Sequence, residues 1–188
     1  MASDDGLRVL GFAGSLRRGS LNRALLSAAQ ELAPAGMAIE IFDLAGVPLY
    51  DEDLRQAGLP EAVAALRAGI AAADAVLIAT PEYNFSFSGV VKNAIDWASR
   101  PPDQPFEGKP IAILGASPSR LGTARAQYQL RQCFIYLDGR VMNRPEMMLG
   151  DARQAFDDAG RLTDARAREQ LAGFLAALAA FSRERDPA

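Results

Sequence analysis

The stretch Leu7-Arg8-Val9-Leu10-Gly11-Phe12-Ala13-Gly14-Ser15-Leu16-Arg17-Arg18-Gly19-Ser20-Leu21-Asn22 decides how this chain folds. Its first half is a short run rich in apolar residues that ends in glycine, the pattern of a buried strand. From Leu21 to Leu32 apolar residues recur at helical spacing until Pro34 and Gly36 stop them. A buried strand that passes through a polar turn into an amphipathic helix is one unit of an α/β protein.

The same alternation continues outward. Ala38–Phe42 reads as a second strand, followed by the turn-rich segment Asp43–Asp53. Glu61–Ala72 reads as a helix with Pro60 just before it, and Ala75–Thr80 as a third strand stopped by Pro81. Gly89–Ala98 is helical, Pro110–Ala116 a fourth strand, Thr123–Tyr136 a fourth helix and Arg140–Leu149 a weaker fifth strand. Asp164–Phe181 is a long amphipathic helix, with Ser182–Ala188 as a tail. This order predicts an α/β fold, a doubly wound five-stranded parallel sheet with helices on both faces. It also predicts one domain over residues 1–188, with its core at about 7–181. No internal repeat or second-domain linker appears. In such sheets ligands bind at the carboxyl ends of the strands near the switch point. The loops after strands one, three and four are therefore the ones to read.

Composition narrows the chemistry. The 188 residues contain no histidine, which excludes Ser-His and Cys-His nucleophilic pairs and most catalytic zinc sites. A cofactor carrying the hard step fits best, and no metal site or catalytic side chain is expected. The net charge of -3 offers no footprint for nucleic acid. One cysteine, Cys133, allows no intrachain disulfide and reads as a small core residue. No run approaches the roughly 18 apolar residues of a membrane span, and Met1-Ala2-Ser3-Asp4-Asp5 lacks the character of a signal peptide. The expectation is a cytoplasmic protein without membrane partners.

The loop Gly14–Asn22 offers glycines, two serine hydroxyls, an amide, two guanidinium groups and the free N–H groups of a helix N-terminus. These suit a phosphate dianion. Gly14 and Gly19 have P-loop spacing, yet Ser20 stands in place of the lysine. Gly11-Phe12-Ala13-Gly14 breaks the dinucleotide fingerprint at its second glycine. A monophosphate site survives these tests, beside the plainer reading of a polar turn with Ser20 as helix N-cap. The loop Thr80–Gly89 sets aromatic rings among amide and carboxylate groups, a seat for a flat heteroaromatic ring or a lid on the core. Leu171, Phe174, Leu175 and Leu178 form an ordinary apolar helix face, and Met147 and Met148 read as core filling.

Three motifs together, Gly14-Ser15-Leu16-Arg17 with Ser20 and Asn22, Pro81-Glu82-Tyr83-Asn84, and Lys92-Asn93-Ala94-Ile95-Asp96-Trp97, resemble the NADPH-dependent FMN reductases. That flavodoxin-like family includes quinone, chromate and azo-dye reductases, and the resemblance runs from Leu7 to about Phe181. It implies FMN as bound cofactor, with Ser15, Leu16, Arg17, Ser20, Leu21 and Asn22 around its phosphate. Pro81, Glu82, Tyr83, Asn84 and Ser117 would line the ring and ribityl chain. It implies ping-pong hydride transfer from NADPH or NADH to a small acceptor such as a quinone, chromate, an azo compound, a ferric complex or free flavin. It also implies a homodimer or homotetramer, with Arg125, Tyr128 and Glu146 meeting across an interface; Arg100 could reach one too. Two positions depart from the family pattern: Ser119 replaces an expected glycine, and Ser88 an expected proline before Gly89. The alternatives are a non-catalytic electron carrier resembling flavodoxin and a cofactor-free phosphoacceptor domain. The latter needs an aspartate where Thr80-Pro81 stands.

Overall fold

In the computed structural model, which describes residues 6–184, five parallel strand positions run in the order β2-β1-β3-β4-β5. Strand β1 (Leu7–Ala13) pairs with β2 (Met37–Phe42) on one side and β3 (Ala75–Ala79) on the other. Strand β4 (Pro110–Ala116) follows β3. The chain therefore winds one way from β1 to β2 and the other way from β3 onward. The loops after β1 and β3 leave the sheet side by side at this switch point.

The fifth strand is in two pieces, a correction to the single stretch Arg140–Leu149. Strand β5 (Arg140–Val141) pairs with Pro110 and Ile111, and β6 (Met147–Leu149) pairs with Leu114–Ala116. Between them the chain leaves the sheet at a segment containing Pro145, which has no N–H to give a ladder.

Strict alternation along the strands builds two cores. Val9, Ala75, Leu77 and Ala79 face α1 (Leu21–Glu31) and α6 (Ala165–Arg183). Leu10, Phe12, Val76 and Ile78 face α3 (Glu61–Ala72), α4 (Gly89–Ala98) and α5 (Ala124–Tyr136). Leu171, Phe174, Leu175 and Leu178 are buried within the chain, each contributing about 1.5–3 kcal/mol of transfer free energy. Met147 is buried too, and the half-buried Cys133 packs against the second core, where burial pushes its thiol up.

A short helix, α2 (Glu52–Ala57), stands inside a region read as turns, started by Asp51, whose carboxylate accepts from the Asp53 N–H at 2.9 Å. Helix α6 continues through Ser182 and Arg183, a correction to the tail expected from Ser182 onward. Glu184 is its C-cap, and residues 185–188 and 1–5 lie outside the described residues.

The Lys92–Trp97 motif acts as a clamp on the loop after β2. Asn93 Nδ2 and Trp97 Nε1 both donate to the Pro48 carbonyl, at 2.7 and 2.8 Å, and Tyr50 N–H donates to Asn93 Oδ1 at 2.7 Å. The C-terminal end of α4 is held by Arg67, whose guanidinium donates to the carbonyls of Ala98 and Arg100 at 2.9 and 2.6 Å. Arg100 turns back on its own helix, donating from Nε to the Asp96 carbonyl at 3.0 Å and lying over the Tyr50 ring.

Candidate active site at the switch point

Gly14 lets the two central loops meet. A Cβ there would overlap Ser88 Oγ and come within 2.5 Å of Val91 Cγ2 and 3.1 Å of Pro81 Cδ. The end of β1 thus lies directly on the start of α4 and on Pro81, which no side chain would permit. The Gly14 N–H donates to the Ala79 carbonyl at 2.8 Å, continuing the ladder into the loop.

Beyond Gly14 the chain exposes donors. Ser20 is the N-cap of α1, its Oγ accepting from Arg23 N–H at 3.3 Å, and its own N–H donates to the Arg17 carbonyl at 3.1 Å. The N–H groups of Leu21 and Asn22, in the first helical turn, make no hydrogen bond among the described residues. Arg17 and Arg18 have no carboxylate partner among them either. Fixed donors, a helix dipole and unpaired guanidinium groups can hold an anion here. The Asn22 side chain is already engaged: Nδ2 donates to the Ala116 carbonyl at 3.0 Å and Oδ1 accepts from the Ala116 N–H at 2.9 Å. It ties the first turn of α1 to the end of β4, so what Asn22 can offer a phosphate is its backbone N–H.

The loop after β3 is internally satisfied. Tyr83 and Ser86 exchange backbone hydrogen bonds of 2.9 Å in both directions, closing a two-residue turn. Asn84 and Phe85 sit at its tip with φ of 50° and 65°, the pattern of a type I′ turn, and Phe85 tolerates that region poorly. Glu82 turns inward: its side chain is only 6% exposed and accepts from the N–H groups of Arg125 and Ala126 at 3.1 and 3.3 Å. The Arg125 guanidinium also binds this carboxylate and lies 3.7 Å from the centre of the Phe85 ring. Glu82 therefore caps the first turn of α5 and pairs with Arg125.

A cleft of about 390 Å³ runs between these loops, within the range of small-ligand sites. Ser15, Arg17, Ser20, Leu21 and Asn22 form one wall. Pro81, Glu82 and Tyr83 form the other, and Ser117 with Pro118 closes the end beyond β4. Of the residues singled out from sequence, Leu16 and Asn84 do not line it. Gly19, Ala116 and Arg153 do. Arg153 comes from a single 3-10 turn, Ala152–Gln154, far away in sequence, and no local motif marks it. Both departures from the family pattern have local explanations. Ser88 is buried and N-caps α4, accepting from Val91 N–H at 3.3 Å. Ser119 Oγ lies 3.1 Å from Ser117 Oγ and donates to the Gly122 carbonyl at 3.3 Å. The neighbouring Glu146 of the same chain pushes the Tyr128 phenol up. Among the described residues no group of His, Cys, Asp or Glu could hold a metal ion.

The parallel sheet, its strand order and a switch-point cleft with an anion loop on one wall define a flavodoxin-like nucleotide-cofactor protein. The model of the NADPH-dependent FMN reductase family matches residues 7–154. An NAD(P)H-dependent FMN reductase of Pseudomonas aeruginosa is 58% identical over 176 residues, covering 94% of this chain and 95% of that protein. A quinone reductase of Escherichia coli is 44% identical over 178 residues, covering 93% and 95%. In solved structures, the flavoenzyme NAD(P)H:(acceptor) oxidoreductase FerB from Paracoccus denitrificans superposes with a TM-score of 0.86 at 37% identity, covering 94% of this chain and 97% of that one. The chain belongs to the NADPH-dependent FMN reductase family. It is an oxidoreductase that works with FMN and a nicotinamide dinucleotide, which sets the electron-carrier and phosphoacceptor alternatives aside.

Proposed function

We propose that the 390 Å³ cleft is the FMN site and that this enzyme passes reducing equivalents from NADPH or NADH to quinones or other small acceptors. The carrying observation is the pairing of an anion loop with unspent donors and a rigid aromatic-bearing wall across one cleft. Bound FMN would supply hydride transfer; the chain's residues bind, orient and shield it. Ser15, Ser20 and Arg17, with the N–H groups of Leu21 and Asn22, would hold the phosphate. Pro81, Tyr83 and Ser117 would flank the ring and ribityl chain, while Glu82 would act through Arg125 and α5. Leu16 and Asn84 would help by shaping their turns.

Quinones are favoured among acceptors because the Escherichia coli relative is named a quinone reductase. We further propose a single FMN-binding domain over residues 1–188 that associates as a homodimer or homotetramer. Tyr83, Phe85, Tyr128, Ile135 and Tyr136 are all more than half exposed around the site and α5, an apolar surface that suits a second copy. A cytoplasmic setting fits the single half-buried cysteine. The test is steady-state NADPH and NADH oxidation by the FMN-loaded protein with a panel of quinones, chromate and azo dyes. Turnover with quinones is expected; FMN-loaded protein that is reduced but passes electrons to no acceptor would overturn the reading.

A further inference from the structure

The cleft does not end at the phosphate loop. A second groove of about 710 Å³ begins there and runs between α1 and the segment 153–162. Gly19, Ser20, Leu21 and Arg153 line both spaces, so whatever is held at the loop lies at the mouth of the groove. The FMN reading gives this larger space no occupant.

The lining has a chemistry of its own. Among the described residues Arg18 and Arg153 carry no ion pair, whereas the acids opposite are mostly spent. Asp157 accepts from the N–H groups of Ala159 and Arg161 at 3.0 and 2.8 Å and from Arg161 Nε at 2.8 Å, which holds its carboxyl below the usual range. Glu31 is bound by Arg168 at 2.7 Å. Arg23 lies 3.6 Å from Asp43 in an exposed pair that solvent screens. What remains is positive charge at the mouth, apolar surface from Ala24, Ala28 and Phe156 within, and one unpaired carboxylate, Asp158. Guanidinium groups suit phosphate, a ring and methyl groups suit a flat base, and a carboxylate accepts hydrogen bonds from ribose hydroxyls.

We propose that this groove is an adenylate subsite, receiving the adenosine 5′-phosphate half of a dinucleotide whose other half occupies the flavin cleft. The proposal rests on that cleft being the FMN site. Two ligands carry such a half, FAD as an extended flavin and NAD(P)H as the hydride donor. In both, Arg153 and Arg18 grip the phosphate at the junction.

The experiment titrates FMN-loaded protein with AMP by calorimetry, for the wild type, Arg153→Ala and Ser27→Trp. Ser27 lines the groove but not the cleft, and is exposed on α1, so a tryptophan there fills the groove without entering the core. AMP is expected to bind the wild type, with at least tenfold weaker binding in each variant, while FMN affinity by fluorescence quenching stays within twofold in Ser27→Trp. Two arms separate the sources. If FAD is the ligand, Ser27→Trp weakens FAD but not FMN binding to the apoprotein. If NAD(P)H is the ligand, Ser27→Trp raises its KM at unchanged kcat. No AMP binding to the wild type, or undiminished binding in Ser27→Trp, overturns the subsite and leaves the flavin reading intact. Failure of FMN itself to bind overturns the flavin reading instead.

Discussion

The loop after β1 and the loop after β3 face each other across the same cleft, yet they are built on opposite principles. The first leaves its hydrogen-bonding capacity open: the N–H groups of Leu21 and Asn22 and the guanidinium of Arg17 have no partner within the described residues. The second is closed on itself, with Tyr83 and Ser86 bonded to each other and Glu82 committed to α5 and Arg125. An open loop can bind, whereas a closed loop can only shape. The division suits a cofactor with a charged end and a flat end, since the phosphate needs donors and the ring needs a wall that does not move.

Substitutions that affect the two loops differently can break this contrast. The largest effect is expected at their meeting point: Gly14→Ala pushes a methyl group into Ser88 and Val91, an overpacking cost of about 1–3 kcal/mol. That corresponds to a fall in Tm of roughly 2–12 °C, together with weakened FMN binding. Arg17→Ala should leave the melting temperature of the apoprotein unchanged while weakening FMN by roughly 10–150-fold, the worth of one hydrogen bond to a charged group at about 1.5–3 kcal/mol. Glu82→Ala should invert that result. It uncaps α5 and frees Arg125, costing about 1–2 kcal/mol of stability by thermal unfolding, with FMN affinity shifted by less than about fivefold. Loss of FMN binding in Glu82→Ala without loss of stability would show that the carboxylate binds ligand directly. The smallest effect belongs to Phe85→Gly. Its gain in backbone comfort at φ of 65° and its lost stacking on Arg125 should offset to within about 1 kcal/mol.

What could be read in the sequence follows the same division. Strands β1, β3 and β4 announce themselves because they are largely buried on both faces and read as near-continuous apolar runs, whereas the edge strand β2 shows itself by alternation. The anion loop announces itself because its donors are local to one turn and one helix N-terminus. The break between β5 and β6 was signalled only by Pro145, a single residue in a weak stretch. The roles of Asn22 and Glu82 were not legible, because each depends on a partner far along the chain, Ala116 at 94 positions and Arg125 at 43. Arg153 was invisible for the same reason: nothing near it in sequence shows that the turn after β6 returns to Gly19 and Ser20. The clamp made by Asn93 and Trp97 shows the converse case, a motif shared with a flavin family whose local work is to hold the loop at Pro48 and Tyr50.

The central claim is that the open loop carries the cofactor's charge and the closed loop does not. Fluorescence titration of FMN and of riboflavin into apoprotein, for the wild type and Arg17→Ala, tests it most directly. The account expects the wild type to prefer FMN strongly over riboflavin and Arg17→Ala to erase at least tenfold of that preference, through FMN alone. Equal affinity of the wild type for the two flavins, or an Arg17→Ala variant that keeps its preference for FMN, would contradict it.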